Sequence, residues 1–240
     1  MTNRDADNPV CGSSERRAGI RGLGQIAIRP LTDCRLYTFV DSAYLHGREP
    51  LEIARELCAG GSDILQLRAK DWPAERIREV ASGLAAVCRD AGVHLVINDH
   101  PAIAEAVGAP LAHLGQEDFF DAGHRNVSDI LGGNGNLGLG LSSHAPEQAL
   151  RAVEAGAAYV AVGPVFATPT KPGRPPVTLD YVRWAKENLD PVPWFAIGGI
   201  HLGNLEQVLD AGATRICVVS AILNAPNITE ACREFRRRLE

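Results

Sequence analysis

Polar side chains that can bind anions or metal ions recur where short apolar runs of the sequence end. In "HLVINDHP", residues 94–101, three apolar residues precede Asn98 and Asp99, and Pro101 bars a regular strand beyond them. Asn and Asp favour turns and helix caps, so this pair alone indicates a turn. Other apolar runs end in, or are followed by, groups with comparable chemistry: Gln66, Arg68 and Lys70; Gln116, Glu117 and Asp118; Ser142, Ser143 and His144; Thr168, Thr170 and Lys171; Gly198 and Gly199; Val219 and Ser220. So many polar strand ends are hard to assign to turns alone.

The charged members of this set suit a diphosphate and a divalent cation. They comprise three cations and two carboxylates, namely Arg68, Lys70, Lys171, Asp99 and Asp118. Such a mixture could form salt bridges only. However, Gln66, Arg68 and Lys70 alternate along the chain and share one side of an extended strand, where burying them is costly without a ligand or partner. Cations bind phosphate oxygens and carboxylates bind Mg²⁺, so the set predicts a diphosphate site with Mg²⁺.

The last two apolar runs predict a second anion site. Gly198 and Gly199 follow the seventh run and Ser220 follows the eighth. In barrels of parallel strands these positions often bind a monophosphate through backbone N–H groups and a helix N-terminus. The sequence therefore predicts two phosphorylated small-molecule ligands.

The pattern of strands and helices predicts a single (β/α)8 TIM barrel over residues 31–240. Eight apolar runs occur, at residues 34–40, 63–68, 93–97, 111–114, 137–141, 159–163, 193–198 and 216–219. Stretches with helical spacing lie between most of them, and four of these stretches end in Ala-Gly, which suits a left-handed Gly at a helix C-terminus. A barrel places the polar strand ends on one face. A doubly wound open sheet is the alternative, because sequence alone does not show closure.

Composition narrows the class of protein. The 240 residues carry a formal net charge of −5 with no long basic block, so no nucleic-acid partner is expected. No apolar run reaches membrane-spanning length, and no signal peptide is evident. The six cysteines form no CxxC pair, which favours a reducing, cytoplasmic location. Residues 1–30 are polar and without periodicity, and we expect a disordered N-terminal extension. Homo-oligomers remain possible.

Seven motifs together resemble the thiamine-phosphate synthase (thiamine-phosphate pyrophosphorylase) family. They are "LQLRAK", "INDH", "HLGQED", "LSSH", "GPVFATPTKPG", "AIGGI" and "VVSAI", in this order between about residues 34 and 225. The resemblance implies a Mg²⁺-dependent transferase that joins 4-amino-2-methyl-5-(diphosphooxymethyl)pyrimidine to a (carboxy)thiazole phosphate and releases diphosphate. The chain departs from the usual family pattern at residues 100–102 and 109–112, in the crossover from the third to the fourth strand.

The resemblance also implies a role for each matching residue. The pyrimidine diphosphate is assigned to Gln66, Leu67, Arg68, Ala69, Lys70, Asn98, Ser142 and Lys171. The thiazole phosphate is assigned to Thr168, Pro169, Thr170, Gly199, Val219 and Ser220. Mg²⁺ is assigned to Asp99 and Asp118, and the catalytic roles to Arg68, Lys70, Lys171 and Ser142.

Two other functions remain open at this point. One is an isomerase like the thiazole tautomerase that shares the fold, and the other is a phosphate-binding barrel without turnover. The two carboxylates and the intact Thr-x-Thr-Lys favour the transferase. The Gly- and Pro-rich segment 167–176 is the expected closing loop, because a reactive cation must be kept from water. We expect His113 to be a hydrogen-bonded core residue, and His144 and His201 to start helices.

Overall fold

Eight parallel strands close into a barrel in which each strand pairs with its neighbours in the sequence. The computed structural model describes residues 28–131, 137–168 and 176–240. The strands are β1 Leu36–Asp41, β2 Ile64–Arg68, β3 His94–Asn98, β4 Leu111–Leu114, β5 Gly138–Ser143, β6 Tyr159–Val162, β7 Trp194–Ile197 and β8 Ile216–Cys217. The pairing of β1 with β8 closes the barrel. The predicted TIM barrel is therefore confirmed, and the open-sheet alternative is wrong.

Helices connect the strands and cover the outside of the barrel. They are α1 Pro50–Ala59, α2 Ala74–Ala91, α3 Pro101–Ala106, α4 Gln116–Phe120, α5 Ser128–Leu131, α6 Pro146–Glu154, α7 Thr178–Asn188, α8 Leu205–Asp210, α9 Ser220–Leu223 and α10 Ile228–Arg238. Short 3-10 helices span Leu31–Asp33 and Ser42–Tyr44. No helix in the described ranges is long and apolar enough to cross a membrane. The predicted extension, residues 1–30, falls almost wholly outside the described residues and stays a prediction.

The Ala-Gly signal for helix ends is correct at three helices and displaced by one residue at the first. Gly92, Gly156 and Gly212 all have positive φ angles, between 69° and 102°. After α1, however, Gly60 is right-handed and Gly61 takes the positive φ of 93°. A β-carbon on Gly60 would lie 2.5 Å from the β-carbon of Cys232 in α10, so packing explains this Gly.

Two strand ends differ from the prediction. β5 continues through Ser142 and Ser143, which were expected to follow the strand. β8 contains only two residues, and Val219 is already the N-cap of α9. Pairing with β6 extends β5 through the two serines, whereas the turn at Val219 into α9 ends β8. The chain's own apolar pattern reveals neither.

Aromatic rings fill the barrel beneath the carboxyl ends of the strands. Tyr37 stacks on Phe39 at 5.1 Å between ring centroids, and both Tyr37 and Tyr159 meet Phe195 edge-on. Gly140 in β5 makes this packing possible, because a β-carbon there would lie 2.1 Å from Cζ of Tyr159. The rings form a rigid floor under whatever binds above them.

The opposite end of the barrel is held by Asp63. Its carboxylate accepts hydrogen bonds from the backbone N–H groups of Arg35 and Leu36 and from the guanidinium of Arg236, at 2.8, 3.1 and 2.5 Å. These contacts tie α10 to the amino ends of β1 and β2. The amino ends of the strands thus stabilise the fold, and the carboxyl ends are left for binding.

Candidate active site

A cleft of about 980 Å³, counting its solvent-open mouth, lies at the carboxyl ends of the strands. All eight strands or the loops after them contribute to its wall. The predicted residues in the wall are Gln66, Arg68, Lys70, Asn98, Asp99, Asp118, Ser142, Thr168, Gly199, Val219 and Ser220. Pro169, Thr170 and Lys171 lie outside the described residues, as does most of the expected closing loop. The structure therefore brings together nearly all the predicted residues that it describes.

The strand 2 segment presents alternate side chains to the cleft, as its spacing predicts. Gln66, Arg68 and Lys70 line the cleft. Leu67 and Ala69 do not line it and are buried. The side chains of these two residues pack in the core, so only their backbone is available to a ligand. Their assignment to the pyrimidine diphosphate stays a prediction.

Asp41 fixes the guanidinium of Arg68. These two residues are paired across β1 and β2, and Arg68 Nη1 lies 2.9 Å from Asp41 Oδ2. The other carboxylate oxygen of Asp41 accepts the N–H of Ala43 at 3.0 Å. The Asp41 side chain is fully buried, whereas that of Arg68 is 16% exposed towards the cleft. The guanidinium keeps further N–H groups that Asp41 does not use, on a residue that lines the cleft.

Asp41 was missed in the sequence although it carries the same signal as the other sites. It directly follows the first apolar run, and it is the polar end of β1. A search for strand ends that included the first strand would have found it.

Lys70 forms an ion pair with Asp99 in the cleft. Asp99 has a φ of 63°, in the left-handed region that Asp tolerates better than most residues. Its N–H donates to the carbonyl oxygen of His113 at 2.9 Å, which holds this turn against β4. A salt bridge of the kind that the sequence left open is thus present, and both of its members line the cleft, as does Arg68.

The donors near Asp118 suit a metal ion that retains other ligands. Asp118 lies in the first turn of α4, and its Oδ2 is 2.5 Å from the place that a β-carbon of Gly115 would take. Within the described ranges, no cluster of three or more His, Cys, Asp or Glu side chains is arranged to hold a metal. Asp99 and Asp118 supply hard oxygen ligands, and Mg²⁺ commonly completes its shell with water and substrate phosphate oxygens. The donor set fits Mg²⁺ on this condition.

The predicted monophosphate end of the cleft is built from the loops after β7 and β8. Gly198 and Gly199 have φ angles of 104° and 64°. A β-carbon on Gly199 would lie 2.6 Å from the carbonyl oxygen of Ala167, so packing against the strand 6 loop requires Gly whatever binds there. α9 begins at Ser220, and the first N–H groups of a helix have no partner within it.

A chain of hydrogen bonds crosses the floor of the cleft. Gln66 Nε2 donates to the hydroxyl of Tyr37 at 2.6 Å, and the Tyr37 and Tyr159 hydroxyl oxygens are 2.8 Å apart. His113 joins Tyr159 through Nδ1 and Ser142 through Nε2, each at 3.0 Å. Burial raises the pKa of both tyrosines well above the ordinary value, so they stay neutral. His113 is hydrogen-bonded as expected, but it also lines the cleft.

His144 and His201, which were expected to start helices, lie shortly before them, since α6 begins at Pro146 and α8 at Leu205. The His144 N–H donates to Gln148 Oε1 at 2.7 Å, and its Nδ1 is 2.5 Å from the Gly163 carbonyl oxygen. The His201 N–H donates to Asn204 Oδ1 at 2.8 Å. His144 additionally borders the cleft.

Comparisons with known proteins agree on one family. The family model described as thiamine monophosphate synthase matches residues 36–222. The thiamine-phosphate synthase of Thermus thermophilus is 50% identical over 189 residues, which cover 79% of this chain and 88% of that protein. That of Acidothermus cellulolyticus is 43% identical over 212 residues, covering 87% and 96%.

A solved structure supports the same assignment. The thiamine phosphate pyrophosphorylase from Pyrococcus furiosus superposes with a TM-score of 0.76 at 29% identity, covering 88% of this chain and 98% of that one. The resemblance inferred from the seven motifs is confirmed. The chain belongs to the thiamine monophosphate synthase family.

Proposed function

We propose that this chain joins 4-amino-2-methyl-5-(diphosphooxymethyl)pyrimidine to a (carboxy)thiazole phosphate, forming thiamine phosphate and diphosphate, with CO₂ as a further product when the thiazole carries the carboxylate. One observation carries the proposal. A single cleft combines a cationic end at β2, two carboxylates at β3 and α4, and a glycine-lined end at β7 and β8. This layout accommodates one diphosphate and one monophosphate over a common aromatic floor.

The diphosphate end relies on Arg68 and Lys70. Asp41 holds the Arg68 guanidinium in place, so its free N–H groups can bind phosphate oxygens in a fork. Lys70 is 51% exposed and paired with Asp99, so its ammonium can turn to an arriving anion without losing a buried contact. Lys171 is proposed to add a third positive charge, and Asn98, in the cleft wall, an amide donor.

Asp99 and Asp118 would hold Mg²⁺. When bound, the ion neutralises negative charge that accumulates on the departing diphosphate. Release of Lys70 from Asp99 would free that carboxylate for the ion and the ammonium for the diphosphate. The ion pair satisfies both charges, and a bound diphosphate and ion would take over its two members.

The chemistry needs no protein nucleophile. The bond between the pyrimidine methylene and the diphosphate oxygen breaks, and its electron pair leaves with the diphosphate. The aminopyrimidine ring donates electrons to the methylene cation that remains. The lone pair of the thiazole nitrogen then forms the new C–N bond. The protein holds the two substrates in register, which supplies much of the rate.

The thiazole phosphate is proposed to bind at the other end of the cleft. Thr168, Gly199, Val219 and Ser220 all border this end, and Pro169 and Thr170 follow Thr168 in the chain. Backbone N–H groups at the start of α9 suit a monophosphate. Segment 167–176 is proposed to close over both substrates and exclude water.

A product assay tests the proposal. Purified protein is incubated with both substrates and Mg²⁺, and the mixture is analysed by mass spectrometry. The proposal requires that thiamine phosphate forms, and that it forms only when both substrates are present. A thiazole isomer formed without the pyrimidine would indicate the isomerase, and tight binding of both ligands without any product would indicate a binding protein.

A further inference from the structure

We propose that His113 is a positioning residue, which holds the Ser142 hydroxyl as a hydrogen-bond donor towards the pyrimidine ring of the substrate. The hydrogen-bonded chain under the cleft, from Gln66 through Tyr37, Tyr159 and His113 to Ser142, fixes this direction. The inference rests on the proposed function, because it concerns which pyrimidine the same site accepts.

The direction of the chain follows from the donor at its first member. Gln66 Nε2 donates to the Tyr37 oxygen, so the single hydroxyl proton of Tyr37 points to Tyr159. The Tyr159 hydroxyl accepts that proton and directs its own to Nδ1 of His113. Each tyrosine hydroxyl therefore donates its hydrogen bond to the next member of the chain.

This direction decides which nitrogen of the His113 imidazole carries the proton. A neutral His that accepts at Nδ1 carries its proton on Nε2. Nε2 lies 3.0 Å from Ser142 Oγ, so it donates to that oxygen. The hydroxyl proton of Ser142 then remains for a group in the cleft above.

Burial and ring packing hold the members of this hydrogen-bonded chain in place. Tyr37 and Tyr159 are at most 1% exposed, and Gln66 and Ser142 are 3% and 4% exposed. The rings of His113 and Tyr159 are nearly parallel, at 20°, with centroids 5.7 Å apart. In addition, burial raises the pKa of both tyrosines, so both hydroxyls keep the proton that they donate.

The two ends of the chain differ, and this difference has a consequence for specificity. At Ser142 the cleft offers a donor, which pairs with an acceptor nitrogen of the ring. At Gln66 the side-chain carbonyl oxygen is an acceptor, which pairs with an amino substituent. A 4-aminopyrimidine supplies both partners, whereas the lactam of the 4-hydroxy analogue exchanges a ring acceptor for a donor and the amine for a carbonyl.

The test measures the dissociation constants of the 4-amino substrate and of its 4-hydroxy analogue with each variant, because turnover would also depend on how strongly each ring donates electrons to the methylene. We expect the parent to favour the amino substrate by about 10- to 100-fold, since a mismatched polar pair in a buried site is unfavourable. Tyr159→Phe removes the group that sets the His113 tautomer, and the preference should fall to within about threefold. A merely structural role would change the thermal stability and leave this ratio as it is in the parent.

Two further variants separate position from polarity at His113. A Gln amide can reach the place of Nε2, and an Asn amide reaches only that of Nδ1. His113→Gln should therefore keep most of the substrate preference, and His113→Asn should lose it. Either variant carries the test if Tyr159→Phe does not fold.

Tyr181→Phe is the matched control. Its hydroxyl is also buried and lies 2.8 Å from Ser143 Oγ, the serine beside Ser142, but Tyr181 does not line the cleft. Its loss should leave the preference unchanged. A folded Tyr159→Phe or His113→Asn protein with the parental ratio would overturn the inference, while a parent that makes no thiamine phosphate would instead refute the proposed function.

Discussion

Replacing Arg68 by Met should lower both stability and diphosphate affinity, for two separable reasons. The change leaves the fully buried carboxylate of Asp41 without its cationic partner. Breaking a buried ion pair costs about 3–5 kcal/mol, and we expect about 3 kcal/mol because Arg68 borders the open cleft. For a chain of this length the melting temperature should then fall by roughly 6–12 °C. Losing charge-assisted hydrogen bonds should weaken pyrimidine diphosphate binding by about 10- to 150-fold.

A second substitution separates the two effects. Asp41→Asn in the Arg68→Met background removes the stranded charge and keeps an oxygen for the Ala43 N–H. The double variant should recover most of the stability, to within about 1 kcal/mol of the parent, and none of the diphosphate affinity. Arg183→Met is the control, because the exposed pair of Arg183 with Asp180 should contribute less than about 1 kcal/mol.

Thermal melts and calorimetric titration with each substrate check this prediction. Thiazole phosphate binding should stay near the parental value in the double variant. If that variant binds the pyrimidine diphosphate as tightly as the parent, Arg68 does not face the diphosphate and the assignment of the two ends is wrong.

Five other changes probe the remaining parts of the cleft and its floor. Full chelation with EDTA should abolish turnover, and Asp118→Ala should lower turnover with little change in melting temperature because Asp118 is exposed; activity under chelation would remove the metal from the reaction. Ser220→Ala should weaken thiazole phosphate binding by no more than about tenfold, since the backbone N–H remains. By contrast, Gly199→Val should unfold the strand 6 loop and weaken both ligands, because its β-carbon meets a carbonyl oxygen. Gly140→Ala should lower the free energy of unfolding by about 1–3 kcal/mol or more through overpacking against Tyr159, and an unchanged melting temperature would contradict the packing described.

Strand ends made most of the cleft predictable from sequence. In a parallel barrel every carboxyl end reaches the same face, so Gln66, Asp99 and Gly199 could be placed together without knowing any contact. Alternation along β2 likewise predicted which of its side chains face the ligand. These inferences need only local periodicity and the handedness of the fold.

The floor of the cleft could not be predicted in this way. Tyr37 and Tyr159 stand inside apolar runs, where an aromatic residue is indistinguishable from ordinary core. Their hydroxyl groups meet across 122 positions of the chain, and His113 reaches Ser142 because β4 pairs with β5. The predicted eighth strand was too long, because its end is set by the turn at Val219 into α9. The pairing of distant strands and this turn are not contained in the chain's apolar pattern.

The proposed function is tested most directly by whether this protein forms thiamine phosphate in its cleft. Phosphorus-31 NMR would follow equal amounts of the two substrates with Mg²⁺ and the parent protein, and in parallel with the folded Arg68→Met/Asp41→Asn variant. We expect the parent to form thiamine phosphate and diphosphate in equal amounts. With the variant, both products should appear at least about tenfold more slowly. Equal rates with both proteins, or diphosphate released without thiamine phosphate by the parent, would contradict this proposal.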